Sequence, residues 1–214
     1  MDFDLDDPLT AFATYFALDY LTSNDDNGEG SNDRDDNGVT PLMLAAAKGD
    51  VRRVRDLIAK GADVNARNKW GATALMYAVN HSGSVEVAKI LIENGADVNA
   101  RDNNGETALI DATDRGNREM VKLLLESGAD VNARTNDGVT ALTYATARRN
   151  RDLVRLLLEN GADVDIKDEK GDTALDYASK NINMKDSRGK AVSYPVDKEI
   201  VDLLEKAQQE KAHG

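Results

Sequence analysis

The sequence predicts an all-α solenoid: about five helix-turn-helix repeats with β-turn fingers, led by an N-terminal capping helix. Three observations predict it. The phrase Gly-x-Thr-Pro/Ala-Leu occurs five times, as GVTPL at 38, GATAL at 71, GETAL at 105, GVTAL at 138 and GDTAL at 171, at spacings of 33, 34, 33 and 33. A second phrase, Gly-Ala-Asp-Val, begins at Gly61, Gly95, Gly128 and Gly161 in the same register. Apolar runs such as VKLLL (121–125) and VRLLL (154–158) lie between the two phrases. Self-similarity at such a period is the signature of stacked supersecondary units.

Ahead of the repeats, Leu9, Phe12, Ala13, Phe16, Ala17 and Tyr20 follow the i, i+3, i+4 pattern of an amphipathic helix at about 8–22. Asp7 suits its cap and Pro8 its first turn. Within each repeat the residues have separate jobs. Gly38 and its equivalents suit a turn needing positive φ. Thr40, Thr73, Thr107, Thr140 and Thr173 are placed to cap the first, inner helix. Gly49 and Gly116 mark a polar break before the second, outer helix, which Gly61, Gly95, Gly128 and Gly161 end in a left-handed cap. One helix pair cannot bury its own apolar face, so stability is expected to come from stacking.

The resulting plan is 1–34 for the cap helix and an acidic loop, then repeats at 35–67, 68–101, 102–134, 135–167 and 168–207, and a polar tail at 208–214. The single spacing of 34 places one extra residue around Ser82. Matching Leu157 to Leu204 puts an inserted loop of about 14 residues at 181–196, between the helices of repeat five. The last helix is expected to start near Asp197 and pack Ile200, Val201 and Leu204.

The stretch DDNGVTPLMLAAAKGDVRRVRDLIAKGADVNAR (35–67) resembles a full ankyrin repeat, and the resemblance spans about four fifths of the chain. Two departures stand out. The His that usually follows Thr-Pro-Leu is replaced by Met43, Met76, Ile110, Thr143 and Asp176, with packing expected to substitute in the first three. Arg149 stands where Gly usually separates the helices.

The resemblance implies a protein-binding module that works through its β-turn tips and concave inner-helix face, as scaffold, inhibitor or immunity-type antagonist. Carried over by position, the partner-binding residues are Val39 and Lys48 in repeat one, and Lys69, Trp70, Asn80 and His81 in repeat two. Repeat three supplies Asn103, Asn104, Glu106, Asp114 and Arg115; repeats four and five supply Asn136, Asp137, Arg148 and Lys170. Trp70, the only tryptophan, is expected to point into solvent and anchor the partner. Tyr77, Tyr144 and Tyr177 are expected to pack between repeats with a polar edge.

Composition excludes other classes. With no cysteine, a disulfide framework and a thiolate metal site are ruled out. The start is acidic where a signal peptide would be basic, and no apolar run approaches the roughly 20 residues of a membrane span. A cytoplasmic protein, monomeric on its own, is expected. The net charge is −12; residues 1–36 carry eleven acids against one Arg, and the remainder carries 28 acids against 26 bases. Neither part is a basic footprint, so no nucleic-acid or membrane partner is expected. His81 and His213 assemble no catalytic set and the glycines serve turns, so neither an enzyme nor a bound cofactor is expected.

Two alternatives have residues to point at. A calcium-loop frame over 25–36 would use Asp25, Asn27, Glu29, Ser31, Asp33 and Asp36. The polar Asn32 at its eighth position and the short Asp36 at its twelfth favour a solvated linker instead. The ADVNA phrases at 62–66, 96–100 and 129–133 resemble sites of an asparaginyl hydroxylase, at Asn65, Asn99 and Asn132; loop hydrogen bonds account for the same Asn.

Overall fold

A computed structural model describes residues 30–179, 182–185, 191–194 and 196–213. The expected capping helix at 8–22, and most of the acidic segment, lie outside these residues. Five inner helices and five outer helices alternate: α1 (Pro41–Lys48), α2 (Val51–Ala59), α3 (Ala74–Tyr77), α4 (Val85–Glu93), α5 (Ala108–Asp114), α6 (Arg118–Glu126), α7 (Ala141–Ala147), α8 (Arg151–Glu159), α9 (Ala174–Ser179) and α10 (Lys198–His213). The described residues form two compact units, 30–112 with 119–130 and 113–118 with 131–213.

Local chemistry sets the helix starts. The hydroxyls of Thr40, Thr73, Thr107, Thr140 and Thr173 each accept from the backbone N–H three residues on. Such a cap is worth about 1 kcal/mol. Gly61, Gly95, Gly128 and Gly161 take φ of 84° to 88° after the outer helices, as their left-handed role requires. In the first unit the core is aliphatic, with Leu42, Leu57, Leu75, Leu91, Leu109 and Leu124 sealed from solvent. In the second, Leu142, Leu153, Leu157, Ile200 and Leu204 do the same work. Each such side chain contributes about 1.5–3 kcal/mol.

At the family's His position, Met43, Met76 and Ile110 are buried and replace a hydrogen bond with packing. Repeats four and five do it differently. Thr143 Oγ1 lies 3.1 Å from Thr140 Oγ1. Asp176 accepts from both the N–H and the hydroxyl of Thr173, at 2.8 and 2.7 Å, completing a reciprocal cap with the Thr173 hydroxyl.

The extra residue in repeat two is absorbed by winding. Ala78–Ser82 form a π-helical turn that continues α3 and ends at Gly83, φ 61°. Ser82 Oγ bonds the carbonyls of Ala46 (2.9 Å) and Ala78 (3.1 Å), which ties the turn to repeat one.

An asparagine ladder joins successive repeat ends. Asn65 donates from Nδ2 to Gly95 O (2.8 Å) and accepts from Asp97 N (2.8 Å). Asn99 does the same to Gly128 O and Asp130 N, and Asn132 to Gly161 O and Asp163 N. Asn32 also takes part, donating to Gly61 O (2.9 Å) and accepting from Asp63 N (2.7 Å). Residues 30–34 therefore build the end of a preceding repeat instead of a solvated linker.

The fifth position of the ladder is Asp165, a carboxylate that cannot donate. Gln208 Nε2 and Lys211 Nζ of α10 bond it at 2.9 Å each, and Lys211 also reaches Asp163 at 2.7 Å. The expected polar tail is thus helical through residue 213 and serves as a latch. The inserted segment pairs as an antiparallel hairpin, β1 (Ile182–Lys185) with β2 (Ala191–Tyr194), with Ile182 opposite Tyr194 and Met184 opposite Val192.

Candidate protein-binding surface

The turn tips are held by one recurring device. The first residue of each turn accepts from backbone N–H groups ahead of it: Asp35 from Asn37 and Val39, Asn68 from Trp70 and Ala72, and Asp102 from Asn104 and Glu106. Asp168 repeats the pattern with Lys170 and Asp172, and Thr135 with Val139 alone. An Asx side chain that closes its own turn fixes the tip without using its outer groups.

Neighbouring tips are tied through the backbone. Lys69 N donates to Asn37 O (2.9 Å), and Asn103 N to Trp70 O (2.8 Å). In the second unit Glu169 N donates to Asp137 O (2.9 Å).

Inner-helix tyrosines hold the same turns from below. Tyr77 OH accepts from Asn68 Nδ2 (3.0 Å) and Tyr177 OH donates to Asp168 Oδ2 (2.6 Å). These bonds, within a repeat, give Tyr77 and Tyr177 the polar edge expected of them. Burial raises the Tyr77 phenol pKa, opposed by the Asn68 bond and aided by Asp35. Burial and the Asp168 carboxylate raise that of Tyr177. Burial pushes the Asp168 carboxyl up, but the bonds from Tyr177 and from the backbone of Asp172 and Lys170 outweigh it and hold the group below its ordinary value.

A model described as ankyrin repeats in three copies matches residues 9–102 and 42–135, and another described as ankyrin repeats in many copies matches 124–178. The chain belongs to the ankyrin repeat family. Ankyrin repeats are protein–protein interaction modules. The match from residue 9 agrees with the ladder role of Asn32, which stands 33 residues before Asn65 just as Arg34 stands before Arg67. Arg34 and Arg67 even share a bond, each guanidinium donating to the carbonyl one repeat on.

Among curated proteins, a probable E3 ubiquitin-protein ligase XBOS33 of Oryza sativa subsp. japonica is 57% identical over 42 residues, 20% of this chain and 8% of that protein. M-phase phosphoprotein 8 of Homo sapiens is 44% identical over 74 residues, 33% of this chain and 9% of that one. Its Rattus norvegicus counterpart is 48% identical over 54 residues, 25% of this chain and 6% of that one. The aligned stretches cover under a tenth of these relatives.

The ankyrin scaffold distributes the expected contact residues unevenly. In the first unit Lys48, Lys69, Asn103 and Asn104 are exposed, and Val39, Trp70, Asn80, His81 and Glu106 half-buried. Trp70 was expected to point into solvent; the protein instead covers a large part of it. His81 lies against Tyr77, with ring centroids 5.2 Å apart, and Asn80 Nδ2 bonds Asp111 Oδ2 at 2.8 Å. The π-turn thus carries two candidate contact residues beside the Tyr77–Asn68 bond that secures the Trp70 turn.

In the second unit Arg115, Asn136, Asp137 and Lys170 are exposed. Asp114 and Arg148 engage one another through two parallel bonds, Nε to Oδ1 at 2.8 Å and Nη2 to Oδ2 at 3.0 Å. This bidentate pair, 34 residues apart in sequence, had no motif to announce it. The calcium frame has other uses for its described members. Ser31 Oγ donates to Lys60 O, and Asp33 Oδ2 accepts from Gly30 N at 2.6 Å. Asp36 is exposed, and Asp25, Asn27 and Glu29 lie outside the described residues.

No described helix is long and apolar enough to cross a membrane.

Proposed function

We propose that this ankyrin repeat chain is a non-enzymatic binding module that holds one protein partner on its turn tips and inner-helix ends. The observation that carries the reading is the separation of roles at the tips. Asp35, Asn68, Asp102 and Asp168 spend their side chains holding the turns. Lys69, Asn103, Asn104, Asp137 and Lys170 are left exposed on that fixed backbone. Fixed backbone under exposed side chains lowers the ordering cost of binding.

Within the first unit the reading centres on repeat two. Trp70 and His81 lie on one path of hydrogen bonds and a tilted ring contact through Asn68 and Tyr77, and Asn80, next to His81, bonds Asp111. The half-covered indole offers the remaining face of a large aromatic, the residue class enriched in binding hot spots. The chain acts as a monomer in the cytoplasm, a setting that suits its cysteine-free composition.

The test compares affinity purification by the full chain with that by Lys69→Ala/Trp70→Ala/Asn104→Ala, after both are shown to melt alike. The expected result is a protein recovered in 1:1 stoichiometry by the parent and lost from the variant. Equal recovery by both would remove the tips from the interface, and repeated recovery of no protein by the parent would overturn the module reading.

A further inference from the structure

Asn-Gly is the dipeptide in which backbone least hinders attack on the asparagine side chain, because glycine brings no Cβ to the attacking nitrogen. The chain has five: Asn27-Gly28, Asn37-Gly38, Asn94-Gly95, Asn104-Gly105 and Asn160-Gly161. Four fall among the described residues, and the fold treats their amides differently.

Asn94 and Asn160 each donate from Nδ2 to the carbonyl four residues back, Ile90 O and Leu156 O, both at 2.8 Å. Asn37 is half-buried, and its Oδ1 lies 3.5 Å from Lys69 Nζ. Asn104 is exposed at the tip of its turn. Its backbone N–H bonds Asp102 Oδ1, but its carboxamide has no hydrogen-bond partner among the described residues. All four following glycines donate their N–H to a backbone carbonyl at 2.9–3.1 Å, so the amide, not the nucleophile, separates the sites.

We propose that Asn104 is a site of spontaneous deamidation, a slow charge switch at the tip of repeat three. The Gly105 backbone nitrogen, its proton lost to solvent base, attacks Asn104 Cγ. The Cγ–Nδ2 bond breaks and ammonia leaves, giving a five-membered succinimide. Water opens either ring carbonyl, so the products are aspartate or isoaspartate at 104 and one ammonia; no oxidant or reductant enters. The new carboxylate joins Asp102 and Glu106 on the same turn. Under the binding reading above, that adds a negative charge to the docking surface, but the modification itself does not rest on that reading.

The helix-end amides must first give up a hydrogen bond, worth about tenfold in rate. The test incubates the full chain folded at mildly alkaline pH and maps its peptides by mass spectrometry over time, with a parallel sample in concentrated urea. Asn27, outside the described residues, is read from its own peptide. The expected result is that Asn104 converts about tenfold faster than Asn94 and Asn160 when folded, and that the difference collapses in urea. Asn104→Gln should abolish the +1 Da product of that peptide alone and leave the rates at Asn94 and Asn160 unchanged. Conversion of Asn94 or Asn160 as fast as Asn104 in the folded chain would overturn the proposal. So would an Asn104 that stays intact while its urea control converts.

Discussion

Repeats two and four depart from the common repeat at the same place, the connection between inner and outer helix, and they resolve the departure in opposite ways. Repeat two has one residue too many and keeps its glycine. The surplus is wound into the π-turn Ala78–Ser82, and Ser82 is bonded to Ala46 O. Repeat four has the right length and lacks the glycine. Arg149 sits at φ 58°, the only described non-glycine residue there, and donates from Nη1 to Ala178 O (2.9 Å). A surplus of length is absorbed by helix winding, while a missing residue type is borne as backbone strain offset by a side-chain bond. Both solutions recruit a neighbouring repeat, which is what a stacked array makes available.

The largest effect should appear where the π-turn crowds its neighbour. Gly49 has φ 70°, and an added Cβ would lie 3.1 Å from Ser82 Cβ. Gly49→Ala should cost about 2 kcal/mol in urea denaturation. Gly116 has the same φ but would meet only Asn150 Nδ2, at 3.5 Å. Gly116→Ala should cost about 1 kcal/mol, the conformational part alone. Equal costs would mean that Ser82 yields freely and that the π-turn is soft.

Next comes Arg149. Arg149→Ala keeps the left-handed backbone and loses the bond to Ala178 O, so a loss of about 1.5 kcal/mol is expected. Arg149→Gly loses the same bond but relieves about 1 kcal/mol of strain and should lie near the parent. If Ala and Gly denature together, strain is not part of how repeat four manages without its glycine.

Ser82→Ala removes the two carbonyl bonds of the π-turn and should cost about 1 kcal/mol, since the Ala46 carbonyl retains the Gly49 N–H. No loss would show that the extra residue is held by helix winding alone.

The smallest effect is expected far from either connection, at the exposed latch. The bonds from Lys211 first, and from the Asp165 backbone, hold the Asp163 carboxyl below its ordinary value. Gln208 and then Lys211 do the same to Asp165, and both carboxylates raise the Lys211 amine. Depressed carboxylates stabilise above the ordinary carboxylate range, and that contribution fades as pH falls through their lowered values. The raised amine contributes fully below about pH 10.4 and loses its contribution as pH rises through its higher folded value. Protection at 206–213, with the intrinsic pH dependence of exchange divided out, should therefore fall at both extremes and in 1 M salt; in Lys211→Met the alkaline loss should vanish and the acid loss shrink to the part that Gln208 maintains at Asp165.

What was legible in the sequence followed from residues with one physical meaning. The capping threonines, the turn glycines and the left-handed Gly61, Gly95, Gly128 and Gly161 are all where their conformational preferences put them. The extra residue near Ser82 was legible as a length, but its π winding was not, because spacing does not encode hydrogen-bond partners. Asn32 had the right distance from Asn65 and was hidden by acidic neighbours that read as linker. Among the candidate contacts, exposure of Lys69 and Asn104 followed from turn position. The pairing of Asp114 with Arg148 depends on side chains meeting across repeats, which no single-repeat pattern contains, and the partial burial of Trp70 is not announced by its turn position.

The asparagine ladder also bears on how many repeats such a chain can hold. An amide both donates and accepts, so a duplicated copy inserted at any asparagine rung finds a partner above and below it. Asp165 can only accept, so a regular copy after repeat four would set a glycine carbonyl against a carboxylate; the modified repeat five meets it with the donors Gln208 and Lys211 instead. One atom's exchange, nitrogen for oxygen, ends the self-matching rung at repeat four and hands the next contact to side chains of α10.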